Sequence, residues 1–217
     1  MMKWRVDMRF ISLMSGGIDS PVASHLVLDR GFEVALLNMD NRPFGGDDEL
    51  RKVEMIAEHL AELHPGRVTL LRGKHGMSLQ SFHMHSNPKY MCILCKRAML
   101  KVADMLCTMN GYDGIIMGDS MGQVASQTLP NMAAVSAGVE HPILRPLIGF
   151  DKLDIEAVAK RIGTFELSII STSGCTAAPK HPITHALPER VGVEASKADL
   201  DGVAKRVALS VTQVDIR

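Results

Sequence analysis

The sequence predicts an α/β fold, a Rossmann-like, doubly wound sheet of five parallel strands with flavodoxin-like winding. Short apolar runs recur at residues 10–14, 33–38, 67–71, 115–117 and 167–170, as strands buried on both faces require. Amphipathic stretches of helical length lie between most of them. The strand–helix–strand–helix–strand rhythm up to residue 71 calls for right-handed crossovers. At 217 residues, 46% hydrophobic and 22% charged, the chain is large enough for one domain with a sizeable core.

Residues 10–29, FISLMSGGIDSPVASHLVLD, organise the rest. Phe10, Ile11, Leu13 and Met14 make the first strand. Gly16 and Gly17 permit positive φ and let backbone N–H groups approach an anion. Pro21 suits the first turn of a helix that Asp19 or Ser20 can cap, so an anion there meets the helix's positive end. A bare Gly-Gly pair is as often a plain turn, but Ser-Gly-Gly-x-Asp-Ser is more specific. It lacks the lysine of G-x-x-x-x-G-K-[ST] and the spacing of G-x-G-x-x-G.

Gly31 closes that helix, and the second strand ends at Leu37, Asn38 and Met39. Ligands of open α/β sheets collect at such carboxyl ends. A Pro43-Phe44-Gly45-Gly46 turn feeds a helix over 48–63 with Leu50, Val53, Ile56, Ala57, Leu60 and Ala61 on one face. The third strand follows at 67–71. Residues 75–96 interrupt the rhythm with His75, His83, His85, Cys92 and Cys95 around Pro88, an irregular or partly helical excursion suited to chemistry. A helix over 96–109 leads to the fourth strand, whose end runs from Gly118 and Asp119 through Gln123 to Thr128, a second polar ligand-facing loop. Asp151 caps a helix reaching Ile162, and the fifth strand is expected at 167–170. Residues 1–187 read as one domain and 188–217 as its C-terminal helical extension, with a helix near 198–207 and a short final strand.

Twenty-four basic and 24 acidic residues give no net charge, so nucleic-acid binding needs a local basic surface. No apolar run has membrane-spanning length and the first ten residues lack a signal peptide's apolar core, so a cytoplasmic location is expected. Four cysteines in a reducing compartment read as ligands, nucleophiles or core residues rather than disulfides. Cys107, among Val102, Ala103 and Leu106, reads as core. Cys92 and Cys95 form a C-x-x-C, which alone fits a buried apolar pair, a redox dithiol, or zinc completed by His83 or His85.

Ser15, Gly16, Gly17, Asp19 and Ser20 resemble the PP-loop of ATP pyrophosphatases, which implies an adenine nucleotide α-hydrolase fold and AMP-forming chemistry. SGGIDSPVA, GDSMGQVASQTLPN, RPLIGFDKLDI and the Cys175 loop together resemble, in order and spacing, the PP-loop domain of the tRNA 4-thiouridine synthetase (ThiI) family, from about residue 10 to about residue 185. The THUMP, ferredoxin-like and rhodanese regions of that family have no counterpart here, and a stand-alone form is expected. The resemblance implies an ATP-dependent sulfurtransferase that adenylates a tRNA uridine and replaces its oxygen with sulfur. It implies nucleotide binding by the loop, by Leu37, Asn38 and Met39, and by Gly118, Asp119 and Gln123. Asp19 would hold Mg²⁺ or orient pyrophosphate, and Lys152 would act in adenylation; without the resemblance they read as a helix cap and a solvated lysine.

Cys92, Cys95 and Cys175 would hold a [4Fe–4S] cluster with one open iron, as in subsets of archaeal relatives, with zinc as the alternative. Cys175 is otherwise a persulfide carrier. The expected partners are tRNA, with a THUMP-bearing protein, and a sulfur donor, either hydrosulfide or a cysteine desulfurase; a homodimer is also expected. Lys89, Lys96, Arg97, Lys101 and Lys180 are the expected RNA contacts. The competing readings are sulfur transfer to a small molecule or carrier protein of thiamine thiazole type, and a nucleotide-binding subunit of a larger tRNA-modifying complex.

Overall fold

The computed structural model describes residues 7–122 and 127–216. Its elements are β1 (Arg9–Met14), α1 (Asp19–Leu28), β2 (Glu33–Asp40), α2 (Asp47–Leu63), β3 (Val68–Lys74), α3 (Gly76–His85), α4 (Met91–Asn110) and β4 (Gly114–Ile116). After these come α5 (Leu129–Ser136), β5 (Ile143–Leu144), α6 (Lys152–Arg161), α7 (Phe165–Ser168), α8 (Pro188–Lys197), α9 (Leu200–Leu209) and β6 (Thr212–Val214). The sheet order is β5-β4-β1-β2-β3-β6, parallel throughout except for β6, which runs antiparallel to β3 at one edge.

Alternation along the strands sorts the core onto two faces. Ile11, Ala35, Leu37 and Met39 join α3, α4, α5, α8 and α9 on one side, around Phe82, Leu100 and Val203. Phe10, Val34 and Leu36 join α1, α2 and α6 on the other, around Ile56, Leu60 and Ile155. Cys107 is buried in the first cluster, as expected of a core residue. The chain leaves β1 for β2 and β3 on one side, then crosses to β4 and β5 on the other. The carboxyl end of β1 is therefore the point where the winding reverses, the place where open α/β sheets form a ligand crevice.

Local chemistry explains several boundaries. Asp47, Asp48 and Glu49 put negative charge on the first turn of α2. Gly111, at φ 69°, closes α4 in the left-handed region. Asp151 caps α6 by accepting from the Asp154 N–H at 2.9 Å, as its position predicts.

The sheet has six described strands rather than five. The fifth parallel strand is Ile143–Leu144, and the apolar run at 167–170 instead ends the short helix α7. Phe165 and Leu167 pack against the core from that helix, while Ile169 and Ile170 are exposed at 52% and 42%; the run lacks the two-sided burial a central strand needs. Residues 188–217 hold two helices, not one, before β6. Their apolar residues Val191, Ala195, Val203, Ala204 and Val207 share a cluster with α4.

Asn131 in α5 anchors the coil before α8. Its amide donates to the Ile183 carbonyl at 2.9 Å and its carbonyl accepts from the Ala186 N–H at 2.7 Å, in a fully buried setting. Removing the amide strands both backbone groups. Asn131→Ala should lower stability by about 2–4 kcal/mol, read as a shifted urea midpoint with an unchanged m-value.

Candidate functional site

Between β1 and α1 the chain turns back on itself. The Ser15 N–H donates to Ser20 Oγ at 2.9 Å, Ser20 Oγ lies 3.1 Å from Ser15 Oγ, and the Gly17 N–H donates to Ser15 Oγ at 3.3 Å. Neither Gly16 nor Gly17 has positive φ, contrary to the expectation for a loop of this kind. What glycine supplies here is space. A Cβ on Gly16 would sit 3.1 Å from the Lys52 side chain, and one on Gly118 would come within 2.8 Å of the Ser20 backbone nitrogen. Asp19 is the first residue of α1, not its cap; Ile18 holds the cap position and, among the described residues, no side chain bonds the helix's first amides. Those amides remain available to an anion.

The loop opens into two adjoining lobes that share Met14, Ser15, Gly17, Met39, Lys96 and Met99. The smaller, about 200 Å³, also takes in Asp19, Ser20, Leu37, Gly118, Asp119 and Gln127. The larger, about 500 Å³, takes in Gly16, Asn38, Asn41, Glu49, Lys52, Cys92, Cys95 and Cys175. The expected residues of the loop, the β2 end, the β4 end and the three cysteines therefore meet around one cleft. Lys152 lines neither lobe. It is exposed at the start of α6, 3.8 Å from Glu156, although its charge reaches Asp19. Gln123 lies outside the described residues.

Charge is concentrated at the smaller lobe. Asp119, buried at the end of β4, accepts from Lys96 Nζ at 3.0 Å and Arg145 Nε at 3.3 Å. Burial, then the nearby Asp119 carboxylate, raises the pKa of Asp19, while Lys96 and Lys152 oppose the rise. A phosphate–cation assembly placed here would relieve the repulsion between the two carboxylates.

Sulfur lines the larger lobe. Cys92 and Cys95 lie in the first turns of α4, and exposed Cys175 faces them from the coil after α7. Burial pushes the Cys95 thiol up to about 12 and raises that of Cys92, with Cys175 adding to both. Fully buried His75 places Nε2 3.3 Å from Cys95 Sγ, and burial lowers its pKa to about 4, leaving the ring neutral at neutral pH. His83 and His85 are exposed and line neither lobe, so they do not complete a zinc site with the C-x-x-C. Among the described residues, no three His, Cys, Asp or Glu side chains converge closely enough to hold a single metal ion.

Gln127 lies in the ligand-facing loop expected at 118–128, whereas Lys52 and Arg145 are not among the expected site residues. Lys52 carried a signal: it falls four residues before Ile56, on the buried stripe of α2, where a lysine is out of place. Arg145 is set by the β5–α6 connection, which no local pattern specifies.

This sheet order, with a helix opening on Ser-Gly-Gly-x-Asp-Ser, defines an α/β protein of the PP-loop type. A family model described as thiamine biosynthesis protein (ThiI) matches residues 6–200, and the chain belongs to that family. Curated relatives named probable tRNA sulfurtransferase include one from Methanothermobacter thermautotrophicus, 48% identical over 87% of this chain and 49% of that protein. One from Thermococcus kodakarensis is 44% identical over 81% of this chain and 46% of that protein. The chain thus spans about half the length of these relatives. A crystal structure of a 4-thiouridine synthetase–RNA complex with bound ATP superposes with a TM-score of 0.89 at 31% identity, over 96% of this chain and 55% of that one. The NMN synthetase of Francisella tularensis, at 13% identity and TM-score 0.57, shares the fold alone.

The raised pKa of Asp19 has a stability consequence. Its folded value lies above its unfolded one, so the favourable contribution is complete below the unfolded pKa of about 3.8 and is lost as pH rises through the folded pKa. At pH 7 the ionised carboxylate costs stability. Asp19→Asn should therefore raise the melting temperature of nucleotide-free protein at pH 7, and the gain should vanish as pH approaches 4.

Proposed function

We propose that this chain carries the ATP-using and sulfur-transferring chemistry of a tRNA sulfurtransferase, as the names of its relatives suggest. The observation that carries the reading is the single cleft in which the uncapped start of α1 and three cysteine thiols face each other. In this reading the 15–20 loop binds the β,γ-pyrophosphate of ATP, with Leu37, Asn38, Met39, Gly118, Asp119 and Gln123 around the nucleotide. Asp19 holds Mg²⁺, and Lys152 adds positive charge from the rim. A uracil carbonyl oxygen attacks the α-phosphorus, the bond to the bridging oxygen breaks, and pyrophosphate leaves. A sulfur nucleophile then attacks the activated ring carbon and AMP departs. Helices α8 and α9 belong, in this proposal, to the same domain as the rest.

Three thiols around one lobe, with no histidine among its lining residues, suit a [4Fe–4S] cluster bound by Cys92, Cys95 and Cys175. When bound, such a group offers an open iron where hydrosulfide can be held. The thiols must ionise to bind it, so assembly should release protons. If Cys175 instead carries a persulfide, Cys92 and Cys95 remain a half-buried pair lining the same lobe.

For RNA, Lys89 and Lys180 are exposed near the cysteine lobe. Lys96 and Arg97 are engaged with Asp119 and the Ala134 carbonyl, and Lys101 pairs with exposed Asp201. Backbone contacts supply much nucleic-acid affinity; a tRNA-binding partner, of THUMP type, and a homodimer both remain part of the proposal, as does a cytoplasmic location. No described helix is long and apolar enough to cross a membrane. The family description, thiamine biosynthesis, supports a second reading in which a small molecule or carrier protein accepts the sulfur.

Incubation with ATP, Mg²⁺, a sulfide source and unmodified tRNA should yield AMP, pyrophosphate and thiolated uridine by nucleoside mass spectrometry. Asp19→Ala should abolish turnover without unfolding the chain. ADP formation would overturn the adenylation, and thiolation of a small acceptor without RNA would favour the second reading. Protein purified without oxygen should be brown and hold about four irons per chain. Cys92→Ser and Cys95→Ser should each lose the colour, whereas stoichiometric zinc in colourless protein would return Cys175 to the persulfide role.

A further inference from the structure

Lys52 is the buried lysine of the larger lobe, 9% exposed on a helix whose neighbouring apolar residues Val53 and Ile56 belong to the core. A lysine is seldom buried without an anionic partner. The Nζ group donates to the Ile170 carbonyl at 2.8 Å, and among the described residues the ammonium makes no second hydrogen bond. Two of its three donors are thus uncommitted. The stem passes directly over the loop: a Cβ on Gly16 would meet Lys52 Cδ at 3.1 Å, Cε at 3.4 Å and Cγ at 3.5 Å. With its φ outside the left-handed region, Gly16 is required for the passage of this side chain more than for its own backbone. Burial lowers the lysine's pKa, opposed by nearby Glu49, as expected of a cation awaiting a counter-charge.

The partner of Lys52 is informative as well. Ile170 begins the irregular segment that carries Cys175, and the same region of the chain grips that segment at two further points. Asp48, four residues before Lys52, accepts from the Ser173 N–H at 2.6 Å and from Ser173 Oγ at 2.9 Å. The Phe44 carbonyl accepts from the Thr176 N–H at 2.8 Å and Thr176 Oγ1 at 3.1 Å. Residues 170–176 have no regular structure of their own, so these contacts from the β2–α2 connection and α2 set the position of Cys175. Lys52 is the one among them whose side chain also borders the loop.

We propose that Lys52 is a positioning residue that donates to the nucleotide's phosphates from the Gly16 side while holding the Ile170 carbonyl, so that phosphate occupancy orders the Cys175 segment. This rests on the reading that the 15–20 loop binds nucleotide phosphates. An ammonium has donors for both partners at once. An anion in the loop would pin its head, and the segment tied to that head would lose freedom. The sulfur-bearing coil, already held by Asp48 and Phe44, would then be held more tightly when ATP or pyrophosphate is present.

Inorganic pyrophosphate and ATP are the probes, with binding measured by calorimetry and backbone protection of residues 170–176 by hydrogen–deuterium exchange. In the wild type, either ligand should slow exchange of that segment several-fold. Lys52→Met keeps the stem that packs on Gly16 and removes the charge; it should weaken pyrophosphate about 10- to 100-fold and leave the segment's exchange unchanged at saturating ligand. Lys52→Arg should restore most of the affinity and the exchange response. A merely structural lysine would alter segment exchange equally with and without ligand and leave pyrophosphate affinity within two-fold, and that result overturns the proposal. Should Lys52→Met not fold, acylation of the wild type decides: pyrophosphate should protect Lys52 from acetic anhydride several-fold, and absence of protection overturns the inference. If wild-type protein binds neither ATP nor pyrophosphate, the nucleotide reading itself falls, an outcome distinct from normal binding with no Lys52 effect.

Discussion

The rest of the site answers to the backbone N–H groups at the start of α1, which no described side chain caps. A helix end left in this state is tolerable at a surface or where an anion arrives, and costly if buried without either. Here it sits at the carboxyl end of β1, where the sheet's winding reverses: the chain leaving β1 turns to one face of the sheet and the chain leaving its paired neighbour β4 to the other, with room between them. Gly118, at the end of β4, makes the arrangement compact. Its missing side chain lets β4 approach the backbone of Asp19 and Ser20 closely. A larger residue would push the β4 loop, and with it Asp119, away from the helix end.

Around these amides the protein balances charge in opposing pairs instead of presenting a uniform positive field. Asp119 is held by Lys96 and Arg145, Asp19 stands near both Asp119 and the lysines, and Arg42 grips Asp40 and Asp47 at the other margin. The hydrogen bonds from Arg42 keep the Asp40 carboxyl below the usual carboxylate range. Such pairs contribute modestly to stability once desolvation is counted. Their value at a phosphate site is different: a metal-bound polyphosphate can exchange into a ready-made set of ions without leaving an isolated buried charge. The overall neutrality of the chain and a locally charged cleft are therefore compatible.

How much of this was legible in the sequence depended on how local each signal was. The first three strands, their helices and the Asp151 cap follow from short-range patterns that the fold reinforces. Strand five was misplaced because the apolar run at 167–170 looks like a buried strand, whereas β5 has only two residues, both half-buried. So short a strand owes its existence to β4 beside it, and no window of sequence can report that. The same holds for β6, which is an edge strand only because β3 offers an unpaired side. At the site, the loop, the β2 end and the cysteines were readable as motifs, while Lys52 and Arg145 acquire meaning from partners 118 and 26 residues away.

The most distant of these links explains why the cysteine lobe and the loop behave as one cleft. Cys92 and Cys95 are fixed by α4, a long helix whose core face is fully packed, and their positions follow from the fold. Cys175 has no such support: it follows Gly174, at φ 71°, in a coil with exposed side chains on either side. A reactive thiol on an unsupported coil would wander by several ångströms. What confines it are hydrogen bonds from the β2–α2 connection and α2, the same region that borders the 15–20 loop through Lys52. The proposed sulfur step and the proposed nucleotide step thereby share a structural support, although Cys175 lies more than a hundred positions from the 15–20 loop in the chain. Holding the thiol through α2 rather than through its own helix leaves the coil open to a bulky acceptor. The same economy would be lost if residues 167–170 formed the strand expected from their sequence, since β-pairing would fix Ile170 in the sheet and carry Cys175 away from Lys52.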